Sequence, residues 1–202
     1  MVDPYRKLRA LIDRVTTAWV VANLRNHGAV IGQDVSFIGI PIISIAPSSS
    51  LSIGERCTLI SRAKDTALGT SHAVVLRTLR NGATLCIGKD TGLSGATICA
   101  AEEVRIGSGV LVGADVMIAD TDFHPLYTNR RRAPPEDAMR APIHIHDDVF
   151  VGARSMILKG VTIGRGAVIG AGSVVSKSVP EMVIAAGNPA RVIGDVPGRE
   201  SP

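Results

Sequence analysis

Six times in succession, at Ile145, Val151, Ile157, Ile163, Ile169 and Val175, an aliphatic residue opens a six-residue unit. The fifth place of each unit holds Val149, Ser155, Val161, Ala167, Ser173 or Val179, all small or β-branched. The same phase is present earlier, in Ile31-Gly32 with Val35, Ile53-Gly54 with Cys57, and Ile87-Gly88 with Thr91. It returns in Ile106-Gly107 with Val110 and in Val112-Gly113 with Val116. Neither the 3.6-residue period of a helix nor the pattern of a hairpin reproduces this, and such self-similarity marks a repeat architecture.

A six-residue unit of this kind supplies a short flat strand and a corner, so three units make a triangular coil of 18 residues. The first residue points inward and stacks on its equivalent one coil later, as Ile145 is expected to do on Ile163. The small fifth residue also points inward near the corner, and Gly at the second place relieves backbone crowding. Each coil then buries its neighbour's face and satisfies its backbone groups. The composition agrees. Hydrophobic residues make up 46% of the 202 residues but aromatics only 3%, with 21 glycines, so small side chains fill a narrow core.

Two segments fall outside this pattern. In residues 3–27, Leu8, Leu11, Ile12, Val15, Trp19 and Ala22 recur at helical spacing. Asp3 is placed to cap a helix, Pro4 to occupy its first position and Gly28 to follow its end. Arg6, Lys7, Arg9, Arg14 and Arg25 lie off the apolar stripe. The helix is expected to cap the prism or pack on a neighbouring subunit, in preference to lying on a membrane surface. Residues 61–83 follow the repeat poorly and are expected to form a looser coil with an excursion.

The repeat passes through 106, 112 and 118 and then fails. Asp122 stands where a small uncharged residue belongs, and His124 where an aliphatic should open the next strand. The chain leaves through residues 125–142 and re-enters at Ile145. Long irregular loops on rigid scaffolds tend to carry function, and a local rule broken by a carboxylate and an imidazole together points the same way.

Over roughly residues 30 to 194 the sequence resembles the hexapeptide-repeat acyltransferases, and within them the galactoside and maltose O-acetyltransferase branch. The residues that carry the likeness are His124-Pro125, the loop, Pro142-Ile143-His144-Ile145, Phe150-Val151-Gly152 and Ala185-Ala186-Gly187-Asn188-Pro189-Ala190-Arg191. The resemblance implies an all-β fold, a left-handed parallel β-helix, an exception to the usual handedness of crossovers. It divides the chain into an N-terminal helix (1–28), the β-helix (29–194, loop 125–142) and a tail (195–202). It further implies acetyl-coenzyme A as donor, a groove between subunits of a homotrimer, and His124 as general base. The family's donor contacts fall on Ala153, Ala171, Ser176, Lys177 and Arg191.

The chemistry stands without the family. Acyl transfer from a thioester to an alcohol requires a proton to leave the hydroxyl as it attacks, and an imidazole titrates close to neutrality. A backbone N–H at a corner, such as that of Ala153, is suited to an oxyanion, and Lys177 and Arg191 to coenzyme A phosphates. Asp122 is expected to hold acceptor hydroxyls or orient the imidazole. His72 and Ser94 are weaker acceptor-side candidates, read first as packing and corner residues. His146 replaces a corner glycine and faces solvent, Cys57 and Cys99 take inward positions, and Arg130, Arg131 and Arg132 form a loop tip that meets solvent or an anionic acceptor.

The expected acceptor is a hydroxyl of a sugar, polysaccharide or glycolipid precursor. Two other readings share the prism: a zinc hydratase of the γ-carbonic anhydrase type, and a non-catalytic scaffold. The first needs three converging histidines. His124, His144 and His146 are available, but the last two flank Ile145 and project alike, so no metal is expected. The three cysteines make no disulfide framework, and neither a signal peptide nor a membrane-spanning run is evident, so a cytoplasmic location is expected. A net charge of +4 suits an anionic ligand, and nothing indicates nucleic-acid binding.

Overall fold

In the computed structural model, which describes residues 6–198, the repeats wind into a left-handed parallel β-helix with three flat faces. The first sheet stacks the strands Val30–Ile31, Ser50–Ile53, Thr84–Ile87, Glu103–Ile106, Ile143–Ile145 and Thr162–Ile163. The second stacks Ser36–Ile38, Thr58–Ile60, Gly92–Ser94, Leu111–Val112, Phe150–Val151 and Val168–Ile169, and ends in an antiparallel hairpin of Val183–Gly187 with Ala190–Asp195. The third holds Ile42–Ser44, Val75–Thr78, Thr97–Ala100, Met117–Ala119, Met156–Leu158 and Val174–Val175. Ile145 pairs with Ile163, as the 18-residue coil requires.

The inward ladder of the first sheet is isoleucine throughout: Ile31, Ile53, Ile87, Ile106, Ile145 and Ile163 lie in one register and are buried. Like side chains stacked at the strand spacing present equal faces, so each coil fills the space its neighbour leaves. The fifth-place hydroxyls are buried but satisfied. Thr91 Oγ1 donates to the Gly107 carbonyl (3.1 Å), and Ser155 and Ser173 Oγ both donate to that of Gly170 (3.0 and 2.6 Å). A Cβ on Gly54 would lie 2.5 Å from the Lys89 nitrogen of the next coil, which is why the second place is so often glycine. The fourth place also proves constrained. Asp34, Arg56, Asp90, Asp148 and Arg154 turn their corners with positive φ, a region where Asp is among the more tolerated side chains.

The helix α1 (Arg6–Asn26) closes the open end. Phe37, on a terminal strand, has its N–H accepted by Thr17 Oγ1 (2.9 Å) and its carbonyl bonded by the same hydroxyl (3.3 Å). Arg25 Nη2 donates to the Ile31 carbonyl at 2.7 Å. These contacts occupy edge groups that would otherwise recruit another strand. Val20 and Leu24 enter the core, and Gly28 follows the helix with φ +84°. The expectation of a capping helix is met, but by a different face: Leu8, Leu11, Ile12, Val15 and Trp19 point to solvent. Asp3 and Pro4 lie outside the described residues.

Two coils carry long excursions. Residues 61–74 form the first excursion, with a 3₁₀ turn at Ala63–Asp65, and the strand Val75–Thr78 falls inside the segment expected to be irregular. The second lies between the strands Met117–Ala119 and Ile143–Ile145. Cys57 points inward as expected. Cys99 is buried, but by strand alternation it lies on the outer face opposite Ile98 and takes no part in the inner core cluster.

Ile106→Ala should cost about 2–5 kcal/mol of stability by deleting a rung of the isoleucine ladder. Arg105→Ala, one residue away on the outer face, should cost under about 1 kcal/mol. Urea unfolding of the two variants checks the contrast.

Candidate functional site

The loop that carries His124 starts and ends on a buried carboxylate. Asp120 continues the inward phase of Ile118 and is fully buried. It accepts the amides of three consecutive residues of the neighbouring coil, Ala101 (2.6 Å), Glu102 (2.7 Å) and Glu103 (2.8 Å). Burial sets its carboxyl above the usual range against the downward pull of those amides. Its backbone carbonyl accepts the Ala141 N–H at 3.0 Å, joining the exit of the loop to the entry. A bridge between Thr121 and Arg140 and a bond from Asp122 N–H to the Met139 carbonyl (3.0 Å) continue the closure.

Between these rungs and the loop tip the chain turns sharply. Phe123 has φ +62°, an uncommon conformation for a bulky residue that tends to appear where function fixes the backbone. The turn lets the His124 N–H donate to the Asp122 carbonyl at 2.7 Å. The His124 side chain is exposed, and its ring has no hydrogen-bond partner among the described residues. With Asp122, Pro125, Leu126 and Arg131 it lines an open groove of about 450 Å³.

Asp122 does not face the imidazole through a hydrogen bond. Its Oδ1 pairs with Lys159 Nζ at 2.8 Å, and its Oδ2 is buried without a partner among the described residues. A carboxylate oxygen held dry and unpaired beside an open groove can receive a hydroxyl at modest cost. Lys159 escaped the sequence reading, since a lysine at a repeat corner resembles any surface cation. Asp120 escaped it too, although a carboxylate two residues past Ile118, in inward phase, was a readable signal.

The expected donor residues lie elsewhere on the protomer. Ala153 and Ala171 occupy the same corner on successive coils. With Leu68, Gly69, Ala114, Arg154 and Gly172 they line a second groove, of about 420 Å³. The Ala153 carbonyl accepts the Gly172 N–H (2.9 Å), while the amides of Ala153 and Ala171 have no partner among the described residues. Gly69 and Leu68 come from the first excursion, which thereby forms one wall. Ser176 and Lys177 are exposed beyond the last strand of the third sheet, and Arg191 is exposed on the terminal hairpin, its Nη1 donating to the Ala190 carbonyl. Within one protomer these three share no groove with His124.

The remaining candidates are placed apart. His72 is exposed on the first excursion, its Nδ1 2.7 Å from the Ala73 carbonyl. Ser94 borders a shallow groove on the outer face of the second sheet, beside Thr58, Leu111 and Phe150. His144 Nε2 meets Glu103 Oε1 at 2.7 Å; with Arg105 first and His144 second, these contacts hold the Glu103 carboxyl below its usual range. His146 is exposed. Arg130 pairs with Asp137 at 2.6 Å, which folds the loop tip on itself, while Arg131 lines the His124 groove. Among the described residues no three metal-ligating side chains converge.

Residues 142–177 match the model of the bacterial transferase hexapeptide family, six repeats. Over 97 residues the chain is 40% identical to the galactoside O-acetyltransferase of Escherichia coli, an overlap of 48% of this chain and 46% of that protein. The chain spans about half the length of the curated relatives it matches. A solved galactoside acetyltransferase in complex with coenzyme A superposes with a TM-score of 0.51 at 26% identity, over 88% of this chain and 70% of that one. A hexapeptide-repeat acetyltransferase of Vibrio cholerae complexed with acetyl-coenzyme A shares the fold, with a TM-score of 0.51 at 24% identity over 84% and 71%.

Asp120→Ala leaves the amides of Ala101, Glu102 and Glu103 without their acceptor beneath the neck of the loop, while the backbone bonds of the neck itself remain. It should lower stability by about 2–4 kcal/mol. It should also speed amide hydrogen exchange at Ala101, Glu102 and Glu103 relative to the rest of the β-helix, which mass-resolved exchange reads directly.

Proposed function

We propose that this hexapeptide-repeat chain, on the β-helix scaffold it shares with coenzyme A-binding acetyltransferases, moves an acetyl group from acetyl-coenzyme A to a sugar or glycan hydroxyl. The observation that carries this reading is His124, an exposed and unbonded imidazole fixed by a left-handed turn at the mouth of a stitched loop. The galactoside O-acetyltransferase likeness supports the acyl chemistry and the class of acceptor.

In the proposed reaction His124 takes the proton of the acceptor hydroxyl as its oxygen attacks the thioester carbon. The new C–O bond forms, the C–S bond breaks, and the proton returns to the departing thiolate. The free amides of Ala153 and Ala171 are suited to polar groups of the donor arm and to the developing oxyanion. Lys177 and Arg191 would meet the donor's phosphates, and Asp122 Oδ2, backed by Lys159, the acceptor's hydroxyls.

This division of labour requires a second protomer, since His124 and the two alanines line different grooves of one chain. The outer faces of the prism favour a homotrimer. On the third sheet Ile42, Val75, Thr97, Met117, Met156 and Val174 make one outward row. On the second the row starts with Ser36, Thr58 and Gly92 and is apolar from Leu111 through Phe150, Val168 and Ile184. The equivalent row of the first sheet begins at Val30 and then reads Ser52, Cys86, Arg105, His144 and Thr162. An apolar third face, a second face apolar from Leu111 onward and a largely polar first face suit a closed ring, in which the second sheet of each chain packs on the third sheet of the next. The location consistent with a coenzyme A donor and three free cysteines is the cytoplasm.

His124→Ala should reduce thiol release from acetyl-coenzyme A in the presence of glycoside acceptors by about 10² to 10⁴-fold, with coenzyme A affinity retained; activity kept in that variant removes the assignment. Leu111→Glu combined with Met117→Glu should convert the trimer to a folded monomer by light scattering and abolish turnover.

A further inference from the structure

The helix α1 has two apolar faces, and the structure uses only one. Val20 and Leu24 are buried against the first coil, with Thr17 bonded to its edge. On the opposite side Leu8, Leu11, Ile12, Val15 and Trp19, spaced i, i+3, i+4, i+7 and i+11, are 47% to 62% exposed. Helical residues at this spacing form one continuous stripe. Because α1 closes the end of the prism, that stripe faces away from the coils. It does not lie on the apolar side faces through which a ring of protomers would pack.

The charge around the stripe selects its partner. The helix carries Arg6, Lys7, Arg9, Arg14 and Arg25 against one acid, Asp13. Asp13 is turned to the prism, where it pairs with Arg62 at 2.9 Å. Lys7 and Arg14 are exposed on one flank of the helix, Arg14 also lining the cleft between α1 and the first coil, so the outward half is apolar along its centre and without an acid, with basic side chains at its border. Long basic side chains can bury their stems beside apolar groups and keep their charges at the level of lipid phosphates. Trp19, at the end of the stripe, is a residue type that settles at membrane interfaces. Among the described residues no helix is long and apolar enough to cross a bilayer, and the geometry of α1 is that of a helix lying in the plane of the surface.

We propose that the outward face of α1 is a docking surface for an anionic lipid bilayer, with Leu8, Leu11, Ile12, Val15 and Trp19 entering the headgroup boundary and Lys7 and Arg14 meeting lipid phosphates. The proposal does not depend on the acetyltransferase reading. In a ring assembly the helices of all protomers would face the same way, and several weak contacts would act as one.

The test uses the full chain and vesicles of phosphatidylcholine, with or without 30 mol% (about one lipid in three) phosphatidylglycerol. Trp19 is the sole tryptophan, so a blue shift of its emission reports this face alone. The expected result is a blue shift and co-sedimentation with the anionic vesicles, weakened about tenfold or more by Leu11→Ser combined with Val15→Ser. Lys7→Gln with Arg14→Gln should lose most of the preference for anionic over neutral vesicles. These side chains are exposed, so circular dichroism should show all variants folded. The proposal is overturned if the folded protein fails to bind anionic vesicles, or if the Leu11/Val15 variant binds them equally well. It is also overturned if that variant halves the assembly's mass by light scattering without any vesicle effect, which would make the stripe a contact between copies of this chain.

Discussion

The structure depends on the fact that no coil of this solenoid is stable by itself. A hexapeptide strand of two to four residues has no local means of satisfying its backbone or hiding its inward side chain. Both are met only by the coil above and the coil below. The isoleucine ladder Ile31, Ile53, Ile87, Ile106, Ile145 and Ile163 is the sequence record of that dependence. So are the corner glycines, whose missing Cβ lets backbones approach to a distance no other residue would allow. Dependence on neighbours leaves two unsatisfied ends, and the chain closes each differently. One receives a helix whose Thr17 and Arg25 bond the exposed strand edges, and the other a hairpin that turns the second sheet antiparallel.

A stack of this kind tolerates an insertion only where the coil can be closed again behind it. The His124 loop satisfies that condition with one buried side chain beneath its neck and backbone bonds across it. Asp120 replaces an inward aliphatic by a carboxylate, buried at a cost that three aligned amides offset. Its carbonyl then pins the returning chain at Ala141. The long loop is therefore tied at its neck, and the strained turn at Phe123 is held by a frame stiff enough to impose it. The backbone that presents the imidazole is fixed, although the ring itself is exposed.

The repeat made the prism, its coil length and the inward residues legible, because period and burial are properties of the sequence pattern itself. His124 and its loop were visible as a violation of that pattern. Features set by contacts between distant residues were not. Lys159 reaches Asp122 across 37 positions of sequence, and nothing in its own neighbourhood distinguishes it. The strand Val75–Thr78 was hidden because its repeat is imperfect, and it forms through pairing with Ile42–Ser44 and Thr97–Ala100. Cys99 was assigned inward from its place in the repeat, but alternation within its strand turns it out. The helix shows the clearest limit. Periodicity identified its most apolar stripe, but capping the prism required a hydroxyl at Thr17 and branched side chains at Val20 and Leu24, which lie on the other side.

That division of the helix explains why its composition looks excessive for a cap. Closing a triangular end of this size uses two buried aliphatics and two polar contacts to strand edges. Leu8, Leu11, Ile12, Val15 and Trp19 contribute nothing to it, and their exposure carries a hydration cost in the isolated protomer. The side faces follow the same logic. The first sheet, with Arg105, Glu103 and His144 bonded to one another on its outside, is finished as a surface. The second and third sheets, with Leu111, Phe150, Met117 and Met156 outward, are not. Separate unfinished surfaces, two along the prism and one across its end, are oriented so that a contact on one does not obstruct the other. In the proposed ring such a protomer would complete its site with its neighbours and keep one end of the assembly free.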